Sequence, residues 1–201
     1  MTFEEEFIHQ APSTDKSAVQ ECLVRLIDRY NEPHRFYHNL NHIESGLKTY
    51  HELFSEPLDP VLFFSWAYHD AVYDSKRSDN EKLSADIWWR DAHTLGFIMD
   101  QADSGVAFIR ATDPSNPALS VINDIDLSGL GASPEVFNQN TDNIRKEYYW
   151  VEPEVWRKGR IAVLMQFLRR DSLYLTEPFA EKFTDQAIDN LKNAILKLSQ
   201  S

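Results

Sequence analysis

Residues 61–73 read VLFFSWAYHDAVY, and they form the most apolar stretch of this 201-residue chain. Two prolines, Pro57 and Pro60, separate the stretch from what precedes it. A helix drawn through it is apolar on nearly every side, which is typical of a helix buried at the centre of a bundle. The stretch is also too short to span a bilayer. We therefore predict a central, buried helix over residues 61–73.

Helical periodicity continues outward from this stretch in both directions. Toward the N-terminus, the spacing of apolar residues predicts helices over 19–30 and from 39–41 to 54. Toward the C-terminus it predicts helices over 78–95, 104–111, a short one through 119 and 122 that reaches 127, then 134–150, 153–170 and 179–198. Residues 112–117 are typical of a loop, and no stretch indicates a strand or a hairpin. The sequence predicts an all-α fold, a single helical bundle domain over 1–201 with its core at about 19–198.

Two of these helix starts carry the pattern of a capping box, in which a polar residue is followed three positions later by glutamate. The pairs are Asn41 with Glu44 and Ser78 with Glu81. We expect each pair to satisfy the first N–H groups of its helix.

The charge and the cysteine content of the chain exclude several classes of partner and location. The formal net charge is −12, so the surface repels phosphate backbones and anionic lipid headgroups, and we expect no nucleic-acid or membrane partner. A local basic pocket for a small phosphate ester is compatible with that charge. The single cysteine, Cys22, excludes a disulfide within the chain, and the N-terminal segment is acidic where a secretory signal is basic. These features predict a cytoplasmic enzyme or binding protein.

His69 and Asp70 are unusual because they lie within the apolar stretch. A buried, unpaired carboxylate costs several kcal/mol, so an arginine, a proton or a metal ion must compensate for Asp70. The arginine candidates are Arg35, Arg145 and Arg160. Taken singly, His69 is compatible with a hydrogen-bonded core histidine.

Further histidines and carboxylates accompany this pair along the chain. His38 and His42 are four residues apart and would share one helix face, and Asp124 and Asp126 lie at a predicted helix end. Considered alone, His38 and His42 are explained as polar residues on the surface at the start of a helix. Together, a histidine, a His-Asp pair and a later aspartate favour a metal site.

The sequence around these residues resembles a known family. The matching motifs are RFYHNLNH at 35–42, YHDAVYD at 68–74, DNE at 79–81 with Ser84, DIDL at 124–127 with Leu130-Gly131, IRKEY at 144–148 and Gly159-Arg160. They are similar to an uncharacterised bacterial branch of the HD superfamily of predicted metal-dependent phosphohydrolases. The resemblance covers residues 19–198.

This resemblance implies an all-helical domain that holds one divalent metal ion. Carried over by position, the ligands are His42, His69, Asp70 and Asp126, with Asp124 as the alternative for the fourth. Relatives in this branch tend to carry a histidine shortly after the threonine that matches Thr112, whereas here Asp113-Pro114-Ser115 follow. That departure argues against a second metal ion and is compatible with reduced activity.

The expected chemistry is metal-assisted hydrolysis of a small phosphorylated metabolite, with nucleotides and sugar phosphates as candidates. A mixed nitrogen and oxygen site suits Mn²⁺, Fe²⁺, Co²⁺, Ni²⁺ or Zn²⁺ better than Mg²⁺. Asp70 or Asp74 would orient or deprotonate the attacking water. Arg35 is expected to bind the phosphate and to act in catalysis, and Arg145 and Arg160 are the next candidates for binding phosphate. His38 is expected to orient His42 or to donate to phosphate, and Glu81 to support the ligands.

Two other classes of function stay open at this point. One is a non-catalytic protein with the same fold that binds a metal or a nucleotide. The other is an iron-dependent oxygenase, which needs more ligands than the sequence offers. The aromatic content is compatible with a monomer or a homodimer.

Overall fold

The computed structural model describes residues 1–113 and 121–200, and within them it contains helices and no strand. The all-α prediction is therefore confirmed. In chain order the described elements are α1 Phe3–Gln10, α2 Lys16–Tyr30, α3 Leu40–Leu53, α4 Pro60–Tyr68, α5 Asn80–Thr94, α6 Met99–Arg110, α7 Val121–Leu127, the 3-10 helix η1 Ser128–Gly131, α8 Pro134–Glu147, α9 Pro153–Leu168 and α10 Glu177–Gln200.

Helix α4 is buried at the centre of the fold, as predicted. Asp59 caps it by accepting hydrogen bonds from the first free N–H groups, and Pro60 occupies the first turn, where no backbone donor is needed. Seven of its nine residues are buried. The indole N–H of Trp66 donates to the carbonyl oxygen of Ile43 in α3 at 3.0 Å, so this aromatic ring is buried without losing its hydrogen bond.

The prediction that this helix runs to residue 73 is wrong, because α4 ends at Tyr68. The carbonyl oxygens of Asp70 and Ala71 accept hydrogen bonds from the Arg35 guanidinium at 2.6 and 3.1 Å. The N–H of Val72 donates to the Ser84 hydroxyl at 3.0 Å. These long-range partners replace the helical ladder, so His69 and Asp70 lie in a turn at the C-terminal end of α4.

The other helices surround α4 in two groups. Helices α5 and α6 pack against each other, and both contact α4. On the other side α10 packs against η1 and α9, while α7 contacts both α3 and α4. One continuous cluster of buried side chains extends from Phe3 in α1 to Ala194 in α10. Among the described helices, none is both long and apolar enough to cross a membrane.

Some local predictions need correction. Helix α1 was not predicted, yet its Phe3 and Phe7 are buried, so the core begins before residue 19. The Ser78–Glu81 capping box does not form, and Asp79 pairs with the Arg77 guanidinium at 2.8 Å instead of capping α5.

Other differences concern element boundaries. Helix α3 is capped by Asn39 rather than Asn41, α2 is one turn longer at its start, and α6 begins at Met99. Helices α8 and α9 end slightly before the predicted positions. Residues 114–120, which include most of the predicted loop and the start of the short helix, lie outside the described residues.

A close approach between α5 and α6 allows only glycine at position 105. A Cβ atom added there would lie 2.2 Å from the Trp88 Nε1 atom, and that nitrogen is held by a 2.8 Å hydrogen bond to the Ala102 carbonyl. We expect Gly105→Ala to lower the free energy of unfolding by about 1–3 kcal/mol, measured by urea denaturation.

Gly159 in α9 is the matched control for this substitution. It is also a helical glycine, but an added Cβ would meet nothing within 4 Å. Gly159→Ala should raise the free energy of unfolding by about 0.5–1 kcal/mol, because alanine loses less backbone entropy in a helix. Equal effects of the two substitutions would contradict the packing argument.

Candidate metal centre and adjoining cavity

Three predicted ligands meet at the junction of α3 and α4. One ligand atom from each of His42, His69 and Asp70 lies within 4.8 Å of the others. His42 comes from the first turn of α3, whereas His69 and Asp70 come from the turn that ends α4. The side chains of His69 and Asp70 are only 2% and 11% exposed. The fold therefore brings residues that are far apart in sequence into one compact, largely buried group.

Asp126 in α7 adjoins this group. Its Oδ1 atom lies 3.1 Å from His42 Nε2 and 3.8 Å from His69 Nε2. The side chain of Asp126 is 28% exposed, which makes it the most accessible of the four. Asp126 therefore lies beside the two histidines, next to the compact group of three.

Asp124, the alternative fourth ligand, has a different role. Its carboxylate accepts hydrogen bonds from the backbone N–H groups of Leu175 and Thr176 and from the Thr176 hydroxyl, each at 2.8 Å. These contacts hold the chain where it enters α10. The carboxylate is therefore committed to that junction, and the structure does not support Asp124 as a ligand.

The ring of His69 is held in one tautomer. Its Nδ1 atom lies 2.7 Å from the carbonyl oxygen of Trp66, and a carbonyl can only accept, so Nδ1 carries a proton. In the neutral ring the lone pair then lies on Nε2. That atom is buried and lacks a hydrogen-bond partner among the described residues. It lies 3.1 Å from Asp70 Oδ2, but the direction of this contact is not that of a hydrogen bond.

The electrostatics of the group favour a bound cation. Burial lowers the pKa of His69, but the nearby Asp70 carboxylate outweighs burial and raises this pKa to about 9. Burial raises the pKa of Asp70, yet the charge of His69 holds it well below its usual range. For Asp126 the hydrogen bond from His42 likewise outweighs burial and lowers the pKa. The carboxylates stay charged at neutral pH and hold a proton on His69, which a divalent ion would replace.

The donor set fits a divalent metal ion. Two imidazoles and two carboxylates supply both nitrogen and oxygen, and a metal ion that displaced the proton of His69 Nε2 would gain the lone pair of that buried nitrogen. The ring of Trp66 stacks on His69 with the centroids 4.4 Å apart, which fixes the ring plane.

Glu147, at the end of α8, holds the segment that leads into α3. Its Oε1 atom accepts the backbone N–H groups of Phe36, Tyr37 and His38 at 2.7–2.9 Å. Its Oε2 atom lies 2.7 Å from His38 Nδ1, and the side chain is 1% exposed. Sequence reasoning assigned Glu147 no role, because its partners lie about 110 residues earlier in the chain.

His38 is therefore positioned by Glu147. Its ring stacks on Tyr73 with the centroids 3.8 Å apart, whereas its distance to the ring of His42 is 6.0 Å. No hydrogen bond joins His38 to His42 in the described part of the chain, so the first of its two predicted roles is not supported. His38 instead lines the cavity described next.

A cavity of about 720 Å³ opens beside the candidate metal-binding group. His69, Asp70 and Asp126 line it, and so do Arg160 and Arg170. Much of the remaining wall is apolar or aromatic and is formed by residues of α8, α9 and the segment between them, namely Phe137, Ile144, Tyr148, Val151, Val155, Trp156, Val163 and Phe167. The cavity therefore combines the candidate ligands and arginines with an apolar wall.

Arg160 contributes an unsatisfied positive charge to this cavity. Its Nε atom is buried and has no hydrogen-bond partner among the described residues. Burial lowers the pKa of Arg160, but an arginine remains charged at neutral pH. Arg170, which the sequence reasoning missed, lies just beyond the end of α9, with its guanidinium 4.7 Å from the ring centre of Phe167.

The structure places Arg35 and Arg145 away from this cavity, contrary to the prediction that they bind or act on substrate. Besides the carbonyl oxygens of the His69–Asp70 turn, Arg35 donates to Glu32 and to the carbonyl oxygen of His38. Arg145 donates to the carbonyl oxygens of Tyr148 and Val151 at 2.6 and 3.0 Å. Both guanidiniums are committed to main-chain acceptors and hold turns in place.

Asp74 and Glu81 also differ in position. Asp74 lies beyond the end of α4, its carboxylate accepts from the N–H of Lys76 at 2.9 Å, and it lines a separate cavity. Because α4 ends before Asp70, the two aspartates do not share a helix face, and Asp74 is not supported as a catalytic residue. Glu81 lines the same cavity as His69 and Asp70, and burial raises its pKa.

The contacts of Glu147 predict a pH-dependent contribution to stability. Burial raises its pKa, but the hydrogen bonds from His38 and the backbone outweigh burial and lower it. Because the folded-state pKa is lowered, the stabilisation is present above the ordinary carboxyl range and is lost as the pH falls through the folded-state value.

We expect Glu147→Gln to lower the free energy of unfolding by about 2 kcal/mol at pH 7, and the difference from the native chain to shrink at acidic pH. Urea denaturation at several pH values measures both. Asp142→Asn, an exposed change on the same helix, is the control and should have little effect. A Glu147→Gln effect that stays constant as the pH falls would contradict the ionic role.

Comparison with known proteins identifies no relative. No family model matches the chain, no curated protein does, and no solved structure does.

Proposed function

We propose that this protein is a metal-dependent phosphohydrolase of the HD type that acts on a small phosphate ester. One observation carries the proposal. In the described part of the chain, two buried side-chain polar atoms lack a hydrogen-bond partner, His69 Nε2 and Arg160 Nε. Both residues line the same cavity. A buried imidazole nitrogen beside carboxylates is a site where a metal ion would displace the ring proton, and a guanidinium calls for an anion, so a metal ion together with a phosphate satisfies both.

The four residues His42, His69, Asp70 and Asp126 would hold the metal ion. When bound, such an ion lowers the pKa of a water molecule and offsets the charge that develops on a phosphoryl group. Asp70 is already a carboxylate at neutral pH, because the charge of His69 holds its pKa low, and a bound cation would take over that role once it displaced the proton of His69. It is therefore able to accept a hydrogen bond from the attacking water and to orient it.

The cations of the cavity would bind the phosphoryl oxygens. The planar guanidinium of Arg160 offers paired N–H donors that match phosphate geometry. His38 presents its ring to the same cavity, and Glu147 holds that ring in position. The overall charge of −12 repels anions from the surface, so arginines inside the cavity are needed to attract one.

The apolar wall of the cavity favours esters whose alcohol part has an aromatic or aliphatic surface. Trp156, Tyr148 and Phe167 offer ring faces, and Ile144 and Val163 offer aliphatic contacts. A simple sugar is covered with hydroxyl groups and would make few apolar contacts with this wall. An ester that carries an aromatic ring or another apolar face would make more. Nucleotides belong to the second group.

The first test is hydrolysis of a panel of nucleotides and sugar phosphates by metal-stripped protein, with Mn²⁺, Co²⁺, Ni²⁺, Zn²⁺ or Mg²⁺ added back. We expect activity to return with a transition metal and to be lost in Asp70→Ala. Asp74→Ala is the matched control, because this carboxylate lies outside the metal-binding group. It should retain most of the activity. Metal binding without hydrolysis of any ester would instead support a non-catalytic binding protein.

A second test compares the roles of Arg160 and Arg145, which the sequence analysis proposed together for binding phosphate. We expect Arg160→Met to lower kcat/KM by about 10- to 100-fold, because a charge-assisted hydrogen bond to phosphate is lost. Its free energy of unfolding should be unchanged or higher, because a buried, unpaired charge is removed.

Arg145→Met should behave in the opposite way. Removing its hydrogen bonds to two carbonyl oxygens should lower the free energy of unfolding by about 1–3 kcal/mol and leave kcat/KM nearly unchanged. Urea denaturation and steady-state kinetics of both variants provide the comparison. Loss of stability without loss of kcat/KM in Arg160→Met would contradict the assignment.

A further inference from the structure

In the described part of the chain, the titratable neighbours of Arg160 are tyrosines rather than carboxylates. Burial lowers the pKa of Arg160, and the side chains that act in the opposite direction are Tyr37, Tyr148 and Tyr73. A phenol is neutral at pH 7, so these neighbours do not compensate the charge of the guanidinium. The fold therefore places a cation with a buried, unpaired Nε atom near three neutral hydroxyl groups.

All four of these residues line the large cavity, as three of the candidate metal ligands do. They come from separate parts of the chain. Tyr37 precedes α3, Tyr73 follows α4, Tyr148 directly follows α8, and Arg160 lies within α9. Only the tertiary structure brings these hydroxyl groups to one guanidinium.

Tyr37 has an unpaired hydroxyl group at this cavity. Its oxygen lies 3.2 Å from the position that a Cβ atom would take at Gly129, which also lines the cavity. No hydrogen bond of this hydroxyl occurs among the described residues. The ring centroid lies 4.8 Å from that of His38 and 5.0 Å from that of His42, and the backbone N–H donates to Glu147 at 2.7 Å. A hydroxyl that is held in place and unpaired is available to donate to a ligand.

The charges near this hydroxyl belong to both parts of the proposed site. Burial raises the pKa of Tyr37, the carboxylates of Asp126 and Asp70 raise it further, and Arg160 lowers it. In turn, Tyr37 is first among the side chains that raise the pKa of Arg160. The hydroxyl is thus near the candidate metal ligands and near the guanidinium, where a phosphoryl group bound by both would lie.

Tyr148 and Tyr73 extend this group of hydroxyls. Burial and the Glu147 carboxylate raise the pKa of Tyr73, and Tyr148 raises it further, so the two phenols are neighbours. The ring of Tyr73 stacks on His38 with the centroids 3.8 Å apart, and the ring of Tyr148 lies 5.2 Å from that of Trp156. These contacts hold both rings at the cavity wall.

We propose that Tyr37 and Tyr148 form, with Arg160, the subsite of the large cavity that binds the phosphoryl group, and that Tyr73 positions Tyr148. The guanidinium supplies the charge, and the two phenol hydroxyls donate hydrogen bonds to phosphoryl oxygens. The inference deepens the proposed function and rests on it, because the ligand is the phosphate of the same ester. It adds two neutral donors to an arginine that lacks a partner.

A phenylalanine substitution removes each hydroxyl without removing its ring. We expect Tyr37→Phe and Tyr148→Phe each to weaken the binding of inorganic phosphate to the Co²⁺-loaded protein about tenfold, because a hydrogen bond to a charged oxygen is lost. Isothermal titration calorimetry measures this affinity without requiring turnover. Tyr149→Phe is the matched control, since this tyrosine is 74% exposed and does not line the large cavity. It should bind phosphate as the native chain does.

The free energy of unfolding separates a binding role of the Tyr37 hydroxyl from a structural one. Tyr37→Phe should not lower this free energy in urea denaturation, because the hydroxyl that it removes has no hydrogen-bond partner in the described part of the protein. A loss of stability that accompanies the loss of phosphate affinity would indicate that the hydroxyl acts through the fold. That result would overturn its assignment to the subsite.

The outcomes of the titrations distinguish this inference from the proposed function. Native phosphate affinity in both phenylalanine variants, with loss of binding in Arg160→Met, overturns the tyrosine subsite and leaves the proposed phosphohydrolase activity intact. Phosphate binding that depends on the tyrosines, without hydrolysis of any ester in the panel, supports the subsite and contradicts the hydrolase. A native chain that binds Co²⁺ but no phosphate overturns both.

Discussion

The buried guanidinium of Arg35 is the contact on which the site depends. It donates to the carbonyl oxygens of Asp70 and Ala71 on one side and of His38 on the other, and its side chain is fully buried. It thereby joins the turn that ends α4 to the segment that leads into α3. The turn carries His69 and Asp70, and His42 follows the segment in the first turn of α3. One cation that binds main-chain acceptors therefore sets the distance between candidate ligands from two different parts of the chain.

Glu147 complements Arg35 with a buried negative charge. Three backbone N–H groups and the His38 ring bind its two oxygens, so the segment before α3 is held from both sides. Both of these charged groups have hydrogen-bond partners within the protein. In contrast, His69 Nε2 and Arg160 Nε have no hydrogen-bond partner among the described residues. Charges that support the site are paired internally, whereas those that would meet ligands keep an unpaired atom, at a cost in stability.

The candidate metal-binding residues and the apolar wall share one cavity. His69, Asp70 and Asp126 line it together with Arg160 and with the rings of Trp156 and Phe167. The proposed chemistry needs all three kinds of group, because imidazoles and carboxylates would hold a metal ion, a guanidinium would bind a phosphoryl oxygen and an apolar wall would contact the rest of the ester.

Local sequence patterns determined the helices and the types of the ligand residues. The apolar run at 61–73 specified a central helix, and a carboxylate inside it required a cation. Periodicity, however, reports only on neighbours three or four residues apart. The end of α4, the partners of Arg35 and Glu147, and the choice of Arg160 over Arg145 for the cavity depend on groups up to about 110 residues apart. Only tertiary packing decided them, because a buried charge binds whichever acceptor or donor the fold brings within hydrogen-bond distance.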